Sequence, residues 1–203
     1  MIGIINYNGG NFKSVSNSLE YLKIEYLEIC FKNDFNKVSH IILPGVGTYS
    51  ELIYNLKTLN LYDELFHQIK DKQKYYLGIC VGMQILSTYG LEIQKTRGLN
   101  LISGIVKKMN VTDSPLPNIG WHNIILENKK SILFDNIPES ELFFYFVHSY
   151  YLDLLDINFC SSSIYYDNKF TASVESKNIF GVQFHPEKSQ KAGLQVLKNF
   201  CNL

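Results

Sequence analysis

The chain has 203 residues, of which 46% are hydrophobic and 14% aromatic, and its 19 basic and 19 acidic side chains cancel. This composition predicts a single domain over 1–203 with a full core, and the balanced charge excludes a nucleic-acid surface built on net positive charge. The apolar stretches are strand-sized and fall well short of the roughly 20 residues of a membrane span.

The four cysteines, Cys30, Cys80, Cys160 and Cys201, lie far apart and form no C-x-x-C pair. Their spacing argues against a disulfide framework or a zinc ribbon and is typical of a protein in a reducing cytosol. The N-terminus lacks the basic lead and small-residue cleavage site of a signal peptide. We therefore predict a cytoplasmic protein.

The first half of the chain alternates short apolar strands with helical patterns. Strands are predicted at 2–6, 25–30, 40–45 and 75–79. Apolar residues at helical spacing predict a helix after the first strand, two short helices between the third and fourth strands, and one helix over 81–90. This alternation predicts right-handed βαβ crossovers and a mostly parallel sheet.

The second half contains strand-like runs separated by Asn, Asp, Ser or Gly. These runs cover 101–109, 119–126, 142–152, 161–166, 170–176 and 179–184, and a helix is predicted over 190–201. The pattern indicates that antiparallel strands join the sheet. The fold class is therefore α/β, with a mixed, mostly parallel sheet flanked by helices and an added antiparallel layer.

One cysteine stands in a G-x-C-x-G frame, in which Gly78 and Gly82 flank Cys80 between a strand and a helix. This is the thiol version of a nucleophile elbow. A cysteine nucleophile needs a base and a group that orients the base, and "GVQFHPEKSQ" supplies His185 and Glu187. An extended H-P-E segment places both side chains on one face. A buried, inert cysteine is the alternative, and the presence of both motifs argues against it.

Acyl transfer also needs two hydrogen-bond donors for an oxyanion. The candidates are the N–H of Val81, which follows the cysteine, and the N–H of Val46 or Gly47 in "LPGVGTY". Glycines around Val46 let the backbone turn an N–H toward a cleft. They also suggest that this segment rearranges when a partner binds its own ligand. An ordinary strand-to-helix turn is the alternative.

These motifs, in this order, resemble the class I, triad-type glutamine amidotransferases, through "GICVGMQ" and "QFHPE". Within that class, "NYNGGNFKSV", "LPGVGTY", "PNIGWHN", "YFVHSYY" and "GVQFHPEKSQKAGLQVLKNF" are similar to the glutaminase subunits of imidazole glycerol phosphate synthase. The resemblance implies hydrolysis of L-glutamine to glutamate and ammonia through a Cys80 thioester, without cofactor or metal. It also implies a heterodimer with a (β/α)8-barrel cyclase of histidine biosynthesis, which receives the ammonia.

The resemblance also assigns binding positions. It implies glutamine contacts by Gly47, Gln84, Glu92 and the backbone of Ser149 and Tyr150. A solvated surface acid is the alternative for Glu92. Residues that it places near the partner are Asn11, Trp121, Tyr145 and Lys188, and core packing is the alternative for Trp121.

Two residues depart from the family pattern. Asn6 stands where an acidic residue is usual, and His122 stands where an asparagine usually follows the tryptophan. They bear on the ammonia acceptor more than on the glutaminase chemistry. A paralogous glutaminase that feeds a surface-sugar amidotransferase is therefore an alternative, as are a free-standing cysteine hydrolase and a catalytically silent binding subunit.

Overall fold

The structure, a computed structural model, describes residues 1–7, 9 and 11–203. Residues 8 and 10 of the predicted N-terminal motif lie outside the described residues. The strands are Ile2–Ile5 (β1), Tyr26–Ile29 (β2), His40–Gly45 (β3), Tyr75–Cys80 (β4), Tyr89–Gly90 (β5), Thr96–Arg97 (β6), Gly104–Lys108 (β7), Asn118–Asn123 (β8), Ile125–Leu126 (β9), Phe143–His148 (β10), Tyr150–Leu154 (β11), Cys160–Tyr166 (β12), Asn168–Ser176 (β13) and Ile179–Val182 (β14).

The α-helices are Phe12–Tyr21 (α1), Tyr49–Thr58 (α2), Tyr62–Lys70 (α3), Val81–Gln84 (α4) and Gln190–Cys201 (α5). Short 3-10 turns cover Lys32–Lys37, Ile132–Phe134, Glu139–Glu141, Ile157–Phe159 and Pro186–Lys188. Helix α2 begins with a capping box, in which the Thr48 side chain accepts from the Glu51 N–H and the Glu51 carboxylate accepts from the Thr48 N–H. Such reciprocal bonds satisfy two backbone donors that a helix start leaves free.

The main sheet has eight strands in the order β2-β1-β3-β4-β14-β13-β12-β9. Strands β1 to β4 and β14 run parallel to one another, whereas β13, β12 and β9 continue the sheet with antiparallel pairings. Smaller sheets have the orders β11-β7-β5-β6 and β10-β8. The predicted fold class, a mostly parallel sheet with antiparallel strands added, is confirmed.

The central parallel strands are buried on both faces. Every residue of β1, β3 and β4 except Tyr75 at the start of β4 is buried. Parallel strands show this pattern because helices cover both faces of their sheet. Helix α5 contributes Val196, Leu197 and Phe200, and α1 contributes Val15 and Leu19, to the same core. The organisation of 1–203 as a single domain stays a prediction.

Three predicted elements are wrong in extent. The strand-like runs 119–126 and 142–152 are each divided into two strands that join different sheets, β8 and β9 in the first run and β10 and β11 in the second. The helix expected over 81–90 ends at Gln84, and β5 follows. The carbonyls of Ile85, Leu86 and Ser87 accept N–H groups from 99–102 instead of from a further helical turn. Because these carbonyls already accept hydrogen bonds from another segment, they do not accept the N–H groups of a further helical turn, and the helix ends.

No helix within 1–7, 9 and 11–203 is long and apolar enough to cross a membrane. The four cysteines carry free thiols.

Candidate active site

Three neighbouring parallel strands bring the predicted chemical groups to one edge of the main sheet. In the register of the sheet, Gly45 at the end of β3 lies opposite Cys80 at the end of β4, and Val182 at the end of β14 lies opposite Ile79. The segments that follow β3 and β14 therefore flank the cysteine. Clefts at the carboxyl ends of such strands are the usual ligand sites of open α/β sheets.

A cleft of about 350 Å³ opens at this edge. It is lined by Val46, Gly47, Cys80, Val81, Gln84, Glu92, Val147, His148, Ser149, Tyr150 and His185. No group of three or more His, Cys, Asp or Glu side chains among the described residues is arranged to hold a metal ion.

The turn at Cys80 is strained and tightly packed. Cys80 has φ +54° and ψ −112°, a conformation that is costly for a residue with a side chain. The turn fits because its flanking residues are glycines. A Cβ on Gly78 would lie 2.3 Å from the carbonyl oxygen of Gly82, and a Cβ on Gly82 would lie 2.2 Å from that of Leu43. The geometry is that of a nucleophile elbow, and it leaves Cys80 5% exposed.

His185 interacts with both other members of the predicted triad. Its Nδ1 lies 2.8 Å from Oε1 of Glu187, and it lines the same cleft as Cys80, with whose side chain it interacts electrostatically. Burial lowers the pKa of His185, but the Cys80 sulfur and the Glu187 carboxylate outweigh burial and raise this pKa from 6.5 to about 10. The imidazole is therefore protonated at neutral pH.

The H-P-E segment is a turn and not the extended segment that we predicted. His185 is extended, but a 3-10 turn begins at Pro186, and the Lys188 N–H donates to the His185 carbonyl. The turn is held from β10, since the His185 N–H donates to the Tyr145 carbonyl. The side chains of His185 and Glu187 still meet, with Nδ1 2.8 Å from Oε1.

Glu187 has a second partner that the sequence did not suggest. The side-chain amide of Asn11, at the start of α1, donates to Glu187 Oε1 over 2.7 Å. The Glu187 side chain is fully buried, and its Oε2 has no hydrogen-bond partner among the residues described. Asn11 was predicted only as a residue near a partner. Asn11 and Glu187 are 176 positions apart in the chain, so no local sequence pattern indicates this contact.

Gln183 is a further residue that the sequence reasoning missed. Its amide nitrogen lies 3.5 Å from the Cys80 sulfur, and its amide oxygen accepts from the side chain of Gln84 over 3.0 Å. Gln84 also donates to the Tyr150 carbonyl over 3.0 Å. Gln183 stands inside the "QFHPE" motif, so the motif itself was the available signal.

Comparison with known proteins decides the family. The family model described as glutamine amidotransferase class-I matches residues 5–203. The chain belongs to this family. It is 39% identical over 202 residues to the imidazole glycerol phosphate synthase subunit HisH of Chlorobium luteolum, with 99% of both chains covered. It is 40% identical over 206 residues to subunit HisH 1 of Campylobacter jejuni strain RM1221, with 100% of both chains covered.

Solved structures share the fold. A crystal structure of a glutamine amidotransferase superimposes with a TM-score of 0.74 at 15% identity, covering 99% of this chain and 97% of that one. The PurLQS structure from Thermotoga maritima gives a TM-score of 0.75 at 20% identity, with the same coverage. At these identities the likeness concerns the fold alone.

The residues that the amidotransferase pattern assigns to glutamine line one cleft. Gly47, Glu92, Ser149 and Tyr150 all face it, together with Gln84. Glu92 is half-buried, and its Oε2 accepts the backbone N–H of Tyr49 over 2.8 Å. Gly47 has φ +86°, which favours glycine. Their roles in binding glutamine stay predictions.

Two of the three candidate oxyanion donors, Val81 and Val46, differ in their surroundings. Val81 is the first residue of α4, directly after the cysteine, and both line the cleft. The N–H of Val46 instead donates to the phenol oxygen of Tyr7 over 3.2 Å. A backbone N–H that already has this acceptor is not directed at a substrate oxygen.

Two of the predicted partner residues, Trp121 on β8 and Tyr145 on β10, form an aromatic cluster with Phe143. A third predicted partner residue, Lys188, lies beside this cluster. The Trp121 ring stacks on Phe143 with centroids 5.6 Å apart and meets Tyr145 edge-on at 6.0 Å. The Lys188 ammonium lies 5.9 Å from the centroid of Tyr145. Phe143 is 42% exposed. Trp121 is only partly buried, so it is not a core residue.

Each residue that departs from the amidotransferase pattern has its own contacts. The Asn6 side chain donates to Glu28 over 2.5 Å. The His122 ring packs edge-on against Phe146 and Tyr166, and burial lowers its pKa. Neither touches Cys80, His185 or Glu187 in these contacts.

Proposed function

We propose that this chain is the glutaminase subunit of imidazole glycerol phosphate synthase, acting in the cytoplasm. It hydrolyses L-glutamine to glutamate and ammonia and delivers the ammonia to a cyclase subunit with a (β/α)8-barrel fold. The observation that carries this proposal is the position of His185, which lines the cleft together with Cys80 and lies 2.8 Å from the Glu187 carboxylate. The full-length likeness to subunits of this synthase supports the pathway.

The first half of the reaction forms a thioester. The Cys80 thiolate attacks the side-chain amide carbon of glutamine, and the carbonyl oxygen becomes an oxyanion. His185, which is protonated at neutral pH, gives its proton to the departing nitrogen as the carbon–nitrogen bond breaks. Ammonia leaves, and glutamate remains bound to sulfur as an acyl group.

The second half releases glutamate. The imidazole, now neutral, removes a proton from a water molecule that attacks the thioester carbon. The carbon–sulfur bond then breaks, glutamate leaves, and the imidazolium–thiolate pair is restored. Glu187 keeps the ring oriented in both halves through its 2.8 Å contact with Nδ1.

The walls of the cleft supply substrate recognition. In this proposal the Glu92 carboxylate binds the α-ammonium group of glutamine, while Gly47, Gln84 and the backbone of Ser149 and Tyr150 contact the rest of the substrate. The N–H group of Val81 stabilises the oxyanion, and that of Val46 does so once it is released from the Tyr7 hydroxyl. Preorganised backbone donors of this kind are worth roughly 10²- to 10³-fold in turnover each.

The aromatic cluster of Trp121, Phe143 and Tyr145 is the proposed docking surface for the cyclase. Partly exposed aromatic side chains are favoured anchors at protein interfaces. Ammonia released into water at neutral pH is protonated and loses its nucleophilicity, so direct transfer to the partner preserves it. The full-length relatives named above are synthase subunits, and this favours the histidine pathway over the surface-sugar and free-standing hydrolase alternatives.

Replacing Cys80 with alanine tests the proposal. In a complex with the barrel cyclase of the same genome, Cys80→Ala should abolish glutamine-dependent synthesis and leave ammonia-dependent synthesis unchanged, because the thiol serves only to release ammonia. Cys160→Ala is the matched control, since Cys160 is also 5% exposed but lies in β12. A Cys80→Ala complex that still used glutamine would refute the assignment of the nucleophile.

A further inference from the structure

The N–H group of Val46, a proposed oxyanion donor, is hydrogen-bonded to a side chain that has no other role in the glutaminase chemistry. Tyr7 follows β1, and its ring is 2% exposed. The Val46 N–H donates to the Tyr7 hydroxyl oxygen over 3.2 Å, and that hydroxyl points back to the Val46 carbonyl oxygen at 3.5 Å. One phenol group thus holds both polar backbone atoms of Val46.

The phenol is a neutral partner in this contact. Burial raises the pKa of Tyr7 to about 12, so the hydroxyl keeps its proton at neutral pH. It can then accept one hydrogen bond and donate another at the same time. The Val46 side chain, in contrast, is 37% exposed and packs only loosely. The conformation of Val46 therefore depends strongly on its backbone hydrogen bonds.

The contact competes with catalysis. A backbone N–H has one proton, and while Val46 donates it to Tyr7 it cannot donate it to an oxyanion on Cys80. Loss of one oxyanion donor slows acyl transfer by roughly 10²- to 10³-fold. A single neutral hydrogen bond shifts a two-state equilibrium by roughly three- to tenfold, since its net worth is of the order of 1 kcal/mol.

We propose that Tyr7 is a positioning residue whose hydroxyl keeps the Val46 N–H out of the oxyanion site in the isolated subunit. This inference rests on the proposed glutaminase function. Binding of the partner frees the N–H by separating it from the phenol. Tyr7 stands four positions before Asn11, which holds Glu187. The same stretch of chain therefore contacts both the oxyanion segment and the triad.

The test is Tyr7→Phe, which removes the hydroxyl and keeps the ring. Without the partner, kcat for glutamine should rise roughly three- to tenfold, with KM changed less than twofold, because the Val46 N–H loses the acceptor that competes with the oxyanion. In the complex, kcat should stay within twofold of wild type, so stimulation by the partner falls by the same factor. Tyr62→Phe is the control. It also removes one hydroxyl, but the Tyr62 hydroxyl donates to the Gly98 carbonyl, and this hydrogen bond involves neither the triad nor Val46.

A second measurement does not depend on the variant. Hydrogen exchange of the Val46 amide, followed by NMR in the isolated wild-type chain, should be slow, and Tyr7→Phe should accelerate it. Fast exchange in the wild type overturns the inference, as does a Tyr7→Phe kcat that is unchanged or lower. A wild-type complex that does not hydrolyse glutamine overturns the proposed function and this inference together. Normal stimulation of both wild type and Tyr7→Phe overturns this inference alone.

Discussion

The imidazolium of His185 is stabilised by its two neighbours more than it is destabilised by burial. A group whose pKa is raised on folding adds stability that is fully present below its unfolded value, and that stability is lost as the pH rises through the folded value. For His185 these values are 6.5 and about 10. At neutral pH the same charge pair therefore serves catalysis and contributes to the stability of the fold.

Substitution of Glu187 by glutamine removes one of the two charged neighbours that stabilise the His185 imidazolium. The neutral amide cannot favour the imidazolium, so Glu187→Gln should lower the pKa of His185 and reduce glutamine turnover by roughly 10²- to 10⁴-fold, the range expected for general acid–base catalysis. Kinetics across pH 6 to 10 would measure both effects. Glu25→Gln, at an exposed position, should behave as wild type. Wild-type turnover in Glu187→Gln would remove this carboxylate from the mechanism.

The sequence predicted some of these residues and missed others for one reason. Cys80 and the His185–Glu187 pair each stand in a short motif, so local pattern was enough to select them. The contacts of Gln183 with Cys80 and of Asn11 with Glu187 join residues 103 and 176 positions apart. Those contacts exist only because β14 lies beside β4 and because α1 begins next to the turn at Pro186.

Among the elements, the turn between β4 and α4 is the least tolerant of change. Gly82→Ala places a methyl group 2.2 Å from the Leu43 carbonyl oxygen, where backbone would have to move. We expect a loss of about 3 kcal/mol or more in the free energy of unfolding, the upper end for overpacking, together with loss of activity. Urea unfolding monitored by fluorescence would measure the loss.

Gly3→Ala is the matched control for that experiment. Its methyl group meets the side-chain ends of Ile29 and Val38, which can rotate away. It should therefore cost clearly less than Gly82→Ala and leave glutaminase activity intact. Equal losses in the two variants would show that the elbow is no tighter than the rest of the sheet.

Element boundaries were predictable where a single element satisfies its own hydrogen bonds. Helix α5 covers the predicted 190–201 because its amphipathic stripe and its internal bonds agree. The helix after Cys80 was predicted too long, since the carbonyls of Ile85 and Leu86 bond to a segment that lies beyond β6. The sequence pattern of an isolated segment does not contain that competition.

For the whole molecule, the order of the strands in the main sheet creates the site. That order could not be predicted from the sequence pattern. The strands of the parallel sheet were predicted, but nothing local indicates that β14, near the end of the chain, pairs with β4. This pairing inserts the last strand between the first parallel group and the antiparallel strands. It thereby brings His185 to Cys80, so the triad is a consequence of long-range topology.

The stability of the whole molecule should fall in mild acid because a buried histidine is kept neutral. His148 accepts from Asn118 at Nε2 and donates from Nδ1 to the Tyr150 carbonyl. Burial, partly offset by the Tyr150 carbonyl, lowers its pKa from 6.5 to about 4. The unfolded chain then binds a proton that the folded chain does not, so stability is complete above pH 6.5 and is lost as the pH falls toward 4.

Between pH 7 and pH 5 this effect amounts to about 2 kcal/mol, at 1.36 kcal/mol for each pKa unit. Urea unfolding at both pH values should show the loss in the wild type and a smaller loss in His148→Gln, whatever the absolute stability of the variant. His67→Gln is the control, because the His67 side chain is 45% exposed and pairs with Asp71. If His148→Gln kept the full wild-type loss, the acid sensitivity would have to come from other groups, and His148 would be protonated as easily in the folded chain as in the unfolded one.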